Sequence, residues 1–269
     1  MASRVAFEKY EGLGNDFLVV DASSDAAVSP ADARAWCDRR RGVGGDGVLL
    51  LMPPSPAGGS TDGRMRVINA DGSIAEMCGN GLRCAALHLA RQRQVDRGEI
   101  AIETDAGVRS CAFERRGDVA MVLADMGVVR VLGDESIPNE GGAVAVTRVD
   151  AGNPHAVVFR RIAPGELEAL GSPLSAASGA NVEFAWQHDG ALEVLVWERG
   201  AGATLACGTG ACAVVAAASS KGLVEGTVVR VRLPGGELEV RYDSGTGRTS
   251  MRGPARRVFS GLVERVDSP

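Results

Sequence analysis

Cys78-Gly79-Asn80-Gly81-Leu82-Arg83-Cys84 and Cys207-Gly208-Thr209-Gly210-Ala211-Cys212 are two copies of one pattern, one in each half of the chain. Each copy follows strand-like sequence and opens a helix. Apolar residues recur with helical spacing over Leu82–Gln92, and Ala211–Ser219 is a run of small residues closed by Lys221-Gly222 in the manner of a helix C-terminus. Glycines flanking one residue at a helix start bring backbone N–H groups close to any bound anion. A Cys in that first turn sits at the positive end of the helix dipole, which favours the thiolate and lowers the thiol pKa from its free value of about 8.5. A single such Cys reads as readily as a buried cap. Its repetition, once per half, points to chemistry.

Around the first copy, Val5–Asp21 reads as strand, glycine turn and strand, with Gly12-Leu13-Gly14-Asn15-Asp16 at the turn. Asp32–Arg41 reads as a short charged helix, Val48–Met52 as a buried strand, Pro53–Gly63 as a loop and Met65–Asn69 as a strand. Strands follow at Ile100–Thr104, Val108–Glu114 and Ala120–Ala124. Around the second copy, strands are predicted at Val144–Asp150, Ala156–Phe159, Val182–Trp186 and Leu192–Glu198. Val228–Leu233 and Glu237–Tyr242 form a hairpin across Pro234-Gly235-Gly236, and Arg256–Val263 is the last strand. Many strands with one main helix per half predict an α/β (α+β) protein of two similar domains, with the sites between them.

The bulk composition narrows the chemistry. The chain has 269 residues and a formal charge of −5, so it offers no basic field to nucleic acid or to an anionic membrane. Its longest apolar runs, Val48–Met52 and Ala211–Ala218, are far short of the ~20 residues that cross a bilayer. The first ten residues lack a signal-peptide pattern, which predicts a cytoplasmic protein with reduced thiols. There are two lysines, Lys9 and Lys221, which disfavours a Schiff-base cofactor.

Gly42-Val43-Gly44-Gly45-Asp46-Gly47 matches the dinucleotide fingerprint in letters. That fingerprint needs a strand before and a helix after, and here the order is reversed, so a plain glycine loop is expected. The cysteine pairs Cys78/Cys84 and Cys207/Cys212 are too widely spaced for a structural zinc site. Cys37, Cys84, Cys111 and Cys212 are expected in the core. His88 is read as a helix-face residue and His188 as a turn residue.

Taken in order, seven stretches make the sequence recognisable. They are Gly12–Phe17, Asn69–Ser73, Cys78–Cys84, Gly152-Asn153-Pro154-His155, Asn181-Val182-Glu183-Phe184, Trp197-Glu198-Arg199-Gly200 and Ala206–Cys212. Together they resemble the diaminopimelate epimerase family of cofactor-independent amino-acid racemases and epimerases. Two positions depart from that pattern: Ala203 stands where members commonly carry an acidic residue, and Gly47 where some carry Gln.

The resemblance implies two pseudo-twofold-related domains, each a curved, mostly antiparallel sheet around a central helix. The N-terminal domain would comprise 1–124 with a returning strand at 255–269, and the C-terminal domain 125–254. It implies epimerisation of LL-diaminopimelate to meso-diaminopimelate, on the route to lysine and peptidoglycan, by a homodimer without cofactor or metal. The partner is then a small-molecule substrate alone. Cys78 and Cys207 would be the acid and base, with His155 and Glu198 beside them. Asn15, Asn69, Asn153, Asn181 and Arg199 carry over as substrate binders, joined by the N–H groups of Gly79, Asn80, Gly208 and Thr209. Related enzymes acting on another amino acid, such as proline, hydroxyproline or histidine, would keep both cysteines but lack this set for a second amino-acid head. A thiol switch closing a Cys78–Cys207 disulfide is the alternative of another class.

Overall fold

The computed structural model describes residues 4–56, 59–75, 77–139 and 142–266. The readings that touch residues 1–3, 57–58 of the Pro53–Gly63 loop and 267–269 lie outside the described residues. The chain forms two compact units, 1–124 with 253–269, and 125–252.

In unit 1, β1 (Arg4–Gly12) and β2 (Asn15–Asp21) form an antiparallel hairpin. Its two-residue turn puts both Leu13 (φ +59°) and Gly14 (φ +78°) in the left-handed region, the twist a tight hairpin needs. β3 (Gly47–Met52) is buried at every position and pairs in parallel with β2, so a crossover must separate them. That crossover carries α1 (Pro30–Cys37). The helix starts earlier and stops sooner than Asp32–Arg41. Ser29 and Asp32 form a reciprocal capping box with Pro30 in the first turn. At the other end, the Asp38 carboxylate accepts the Arg40 and Arg41 N–H groups and turns the chain. Residues 42–46 form the glycine loop that leads into β3, with helix before and strand after.

β4 (Gly63–Asn69) lies antiparallel to β3, and the two-residue β5 (Ile74–Ala75) pairs with its end. α2 (Gly79–Gln92) follows. β6 (Arg97–Thr104), β7 (Gly107–Arg116) and β8 (Val119–Val128) complete a meander. α2 packs against β1, β2, β3, β4, β6 and β7, and every residue from Gly79 to Ala90 is buried. A helix buried all round is the centre of its unit. Leu82 and Leu87 are fully enclosed, and each such burial contributes roughly 1.5–3 kcal/mol.

Unit 2 repeats the same order. β9 (Arg130–Asn139) and β10 (Gly142–Asp150) form a long hairpin. β11 (Pro154–Phe159) leads through α3 (Leu167–Ser178) to β12 (Asn181–His188), again in parallel. β13 (Ala191–Glu198) and β14 (Gly202–Thr204) precede α4 (Gly208–Ser220). β15 (Val228–Leu233) and β16 (Gly236–Tyr242) are the expected hairpin. α4 packs against β9 to β13, β15 and β16, and it is buried from Gly208 to Ala218. Gly222 closes it with φ +65°.

β17 (Arg248–Glu264) is longer than the expected Arg256–Val263. Its first part pairs with β16 in unit 2. Its second part pairs with β1 in unit 1, from Arg256 opposite Glu11 to Glu264 opposite Arg4. Cys37, Cys84, Cys111 and Cys212 are all buried in the cores. Burial pushes the Cys37 thiol up to about 11 and the Cys84 thiol higher still.

Candidate active site

Each repeated motif caps its helix with the cysteine itself. Cys78 is the N-cap of α2 (φ −142°, ψ 109°) and Cys207 the N-cap of α4 (φ −123°, ψ 113°). The Cys78 Sγ accepts the Gly81 N–H at 3.4 Å, and the Cys207 Sγ accepts the Gly210 N–H at 3.4 Å. A sulfur thus stands where Ser or Asp usually caps. The N–H groups of Gly79, Asn80, Gly208 and Thr209 occupy the first two positions, which have no acceptor within a helix.

Strand registers make the two surroundings comparable residue by residue. In unit 1, Leu18, Val48, Ile68 and Ile74 lie side by side across β2 to β5. In unit 2, the same row is Ala156, Val182, Trp197 and Ala203. The next row is Val19, Leu49, Val67 and Ala75 in unit 1 and Val157, Glu183, Val196 and Thr204 in unit 2. On the other side, Phe17 and Gly47 match His155 and Asn181, and Asn69 matches Glu198.

In unit 1 the expected site residues are amides. Asn15 donates from Nδ2 to Asp46 Oδ2 at 2.7 Å and accepts from Asn80 Nδ2 at 3.0 Å, so its orientation is fixed at both ends. Asn69, at the end of β4, donates to the Ser73 hydroxyl at 2.9 Å. Asp46 is held by Arg39 at 2.7 Å, and Arg39 also pairs with Asp16 at 2.6 Å. Burial opposes ionisation of Asp16, but hydrogen bonds from Arg39 and Lys9 outweigh it and hold the carboxyl below its usual range.

Around Cys207 the neighbours ionise. His155 is wholly buried in β11, with Nδ1 2.7 Å from Glu183 Oε1 and Nε2 2.9 Å from Asn153 Oδ1. Glu198 ends β13 partly buried and accepts the Thr204 hydroxyl at 2.6 Å. Burial pushes the Glu198 carboxyl up; the Thr204 bond opposes this and the Glu183 charge adds to it. The Thr209 hydroxyl lies 3.4 Å from the Cys207 sulfur. Asn181, buried at the start of β12, accepts the Arg199 N–H at 2.9 Å. The Arg199 side chain is exposed and donates to Gly179 O at 2.9 Å.

One expectation is overturned. The helix start was expected to lower the pKa of both thiols, but the Cys207 thiol is pushed well above its ordinary value. Burial is the main cause, and the charges of Glu198 and Glu183 add to it, outweighing the Thr209 and Gly210 hydrogen bonds. The dipole acts on this sulfur, but desolvation and two carboxylates oppose it more strongly. Cys207 therefore rests as a thiol.

Glu183, Thr204 and Asp46 were not among the expected site residues. Glu183 lay within the quoted Asn-Val-Glu-Phe stretch, and a charged residue inside a buried strand was the available signal. Ala203 is exposed on β14, and it is its neighbour Thr204 that touches Glu198. At Gly47 a Cβ would fall 2.7 Å from Ile68 O, so a larger residue there would displace backbone.

The sequence profile described as Diaminopimelate epimerase matches residues 7–132 and 147–258. A diaminopimelate epimerase from Synechococcus sp. (strain JA-2-3B'a(2-13)) is 44% identical, over 98% of this chain and 99% of its own length. One from Methanococcus maripaludis (strain C6 / ATCC BAA-1332) is 38% identical, over 96% and 99%. Among solved structures, a hydroxyproline epimerase from Agrobacterium vitis superposes with a TM-score of 0.78 at 18% identity, covering 98% of this chain and 92% of that one. A methylitaconate-delta-isomerase gives 0.66 at 14% identity, covering 99% and 98%; these two likenesses speak to the fold alone. With the helix-capping cysteines in place and near-complete coverage by curated relatives, the chain belongs to the diaminopimelate epimerase family of isomerases.

Proposed function

We propose that the chain interconverts LL- and meso-diaminopimelate without a cofactor, with Cys78 and Cys207 as the two acid–base groups. Inverting an α-carbon requires a base on one face and an acid on the other. One sulfur, as thiolate, takes the α-proton and becomes a thiol. The other, as thiol, delivers a proton to the opposite face and becomes a thiolate. The proton count is conserved, and the roles exchange in the reverse direction. The pair titrates as a coupled system.

The observation that carries this reading is the duplicated cap: two sulfurs with matching backbone angles, each bonded to the third N–H of a buried helix. Charge that develops on the α-carboxylate would be received by the N–H groups of Gly79, Asn80, Gly208 and Thr209, as in an oxyanion hole. Glu198 suits the α-ammonium, and His155 the protonation of the neighbouring thiol. The asparagines and Arg199 suit the distal amino-acid head, Arg199 after exchanging Gly179 O for a carboxylate. Among the described residues no helix is long and apolar enough to cross a membrane. The cytoplasm, the homodimer and the place on the route to lysine and peptidoglycan are carried over with the family.

The test is incubation of reduced protein with LL-diaminopimelate in D₂O, with chelator and no added cofactor. Deuterium is expected at the α-carbon of the epimerised product. Cys78→Ala and Cys207→Ala should each nearly abolish epimerisation; full activity in either variant would defeat the two-base reading.

A further inference from the structure

Glu183 is a buried ionisable group of unit 2. It is fully buried, its Oε1 lies 2.7 Å from His155 Nδ1, and its Oε2 has no hydrogen-bond partner among the described residues. It also reaches the start of α4: a Cβ on Gly210 would fall 2.7 Å from Oε1, against 3.3 Å from the Cys207 sulfur. The register-equivalent position in unit 1 is Leu49, whose Cδ2 would lie 3.0 Å from a Cβ on Gly81. The fold is thus satisfied by an apolar side chain at this place. A buried carboxylate with one bare oxygen costs stability unless something else retains it.

We propose that Glu183 is a positioning residue for the epimerisation: it fixes the His155 ring through Nδ1–H and sets its carboxylate against the α4 start beside Cys207. The ring then offers its Nε2 edge towards Asn153, and cannot flip without losing the bond to Glu183. The carboxylate also disfavours a second negative charge nearby, which favours the thiol form of Cys207 between turnovers. The titratable groups facing Glu183 are His155 from β11, Glu198 from β13 and Cys207 at the start of α4. In unit 1 Leu49 and Phe17 stand at the places of Glu183 and His155, so this control acts on one thiol.

The kinetic part of the test rests on the epimerase reading; the rest uses no substrate. In reduced full-length protein, iodoacetamide alkylation of Cys207 is followed against pH by peptide mass spectrometry. Glu183→Gln should lower the Cys207 midpoint by about 1 pH unit, the low end for a neighbouring like charge. The Cys78 midpoint should not move, and Glu183→Asp should return the Cys207 midpoint towards wild type. With substrate, Glu183→Gln should lower kcat about 10-fold with KM nearly unchanged. A folded Glu183→Gln protein with an unmoved Cys207 midpoint overturns the proposal, whether or not activity falls. If that variant fails to fold, the ¹⁵N spectrum of the wild-type histidines decides: His155 should carry its proton on Nδ1, and a bare Nδ1 overturns the proposal. A shifted midpoint in a protein that turns over no diaminopimelate would leave the Glu183 control of Cys207 standing and defeat the epimerase reading instead.

Discussion

The two units share a blueprint down to the strand register, yet they dress their cysteines differently. Around Cys78 the positions that matter are Phe17, Leu49, Asn69 and Ala75. Around Cys207 the same positions are His155, Glu183, Glu198 and Thr204. The helix caps are alike because backbone geometry and glycine spacing make them so. The side chains at the matching register positions differ because the fold leaves them free to vary. A duplicated scaffold thus supplies two matching sulfurs, and substitutions at four register positions give one of them its own electrostatic surroundings.

The largest effects are expected at the sulfurs themselves. Cys78→Ala and Cys207→Ala should each lower kcat by about 10³-fold, and a large loss in one variant alone would mean the caps are not functionally equivalent. Next, unit 2 can be given the apolar pair of unit 1. His155→Phe with Glu183→Leu replaces a buried, hydrogen-bonded polar pair by apolar side chains, so melting temperature should hold or rise. Steady-state kinetics should nevertheless show kcat down by about 10²-fold. A variant that melts far lower would show that the pair is there for stability.

The caps also differ in room. Gly210→Ala drives a methyl to 2.7 Å from Glu183 Oε1, whereas Gly81→Ala meets the movable end of Leu49 at 3.0 Å. Denaturant titration should show Gly210→Ala destabilised by about 1–3 kcal/mol and Gly81→Ala within about 1 kcal/mol of wild type. The smallest effect belongs to Thr204→Ala, which copies Ala75. Loss of its hydroxyl removes a bond that lowers the Glu198 pKa, so that pKa rises further. Glu198 then protonates at higher pH, and the acid limb of kcat/KM should move upward by less than about 1 pH unit.

The helix starts and the hairpins were legible in sequence because they rest on local rules: glycine spacing, alternation and caps. α3 was not foreseen. Gly171 and Pro173 lie inside it and speak against a helix locally. The helix forms because Gly171 lets it approach Trp197, where a Cβ would fall 2.7 Å from the Trp197 Cβ. α1 was misplaced because Arg39–Arg41 extend its charged pattern beyond the Asp38 turn. Glu183 was hidden for a different reason. Alternation says which residues share a face of β12, but not that this face meets the first turn of α4. The raised Cys207 pKa was out of reach as well, since it arises from groups brought together from β12, β13 and α4.

The crossing strand β17 has a consequence for how the protein is made. Unit 1 is not a continuous stretch: β1 takes its partner from residues 256–264, and the Trp36 indole donates to Glu264 O at 2.8 Å. The strand that pairs β1 on that edge is therefore made only after all of residues 125–252. Residues 125–252 can assemble on emerging, while the earlier-made unit waits with an open edge. Birth order and completion order are reversed, and the interval exposes β1 as a template for the wrong strand.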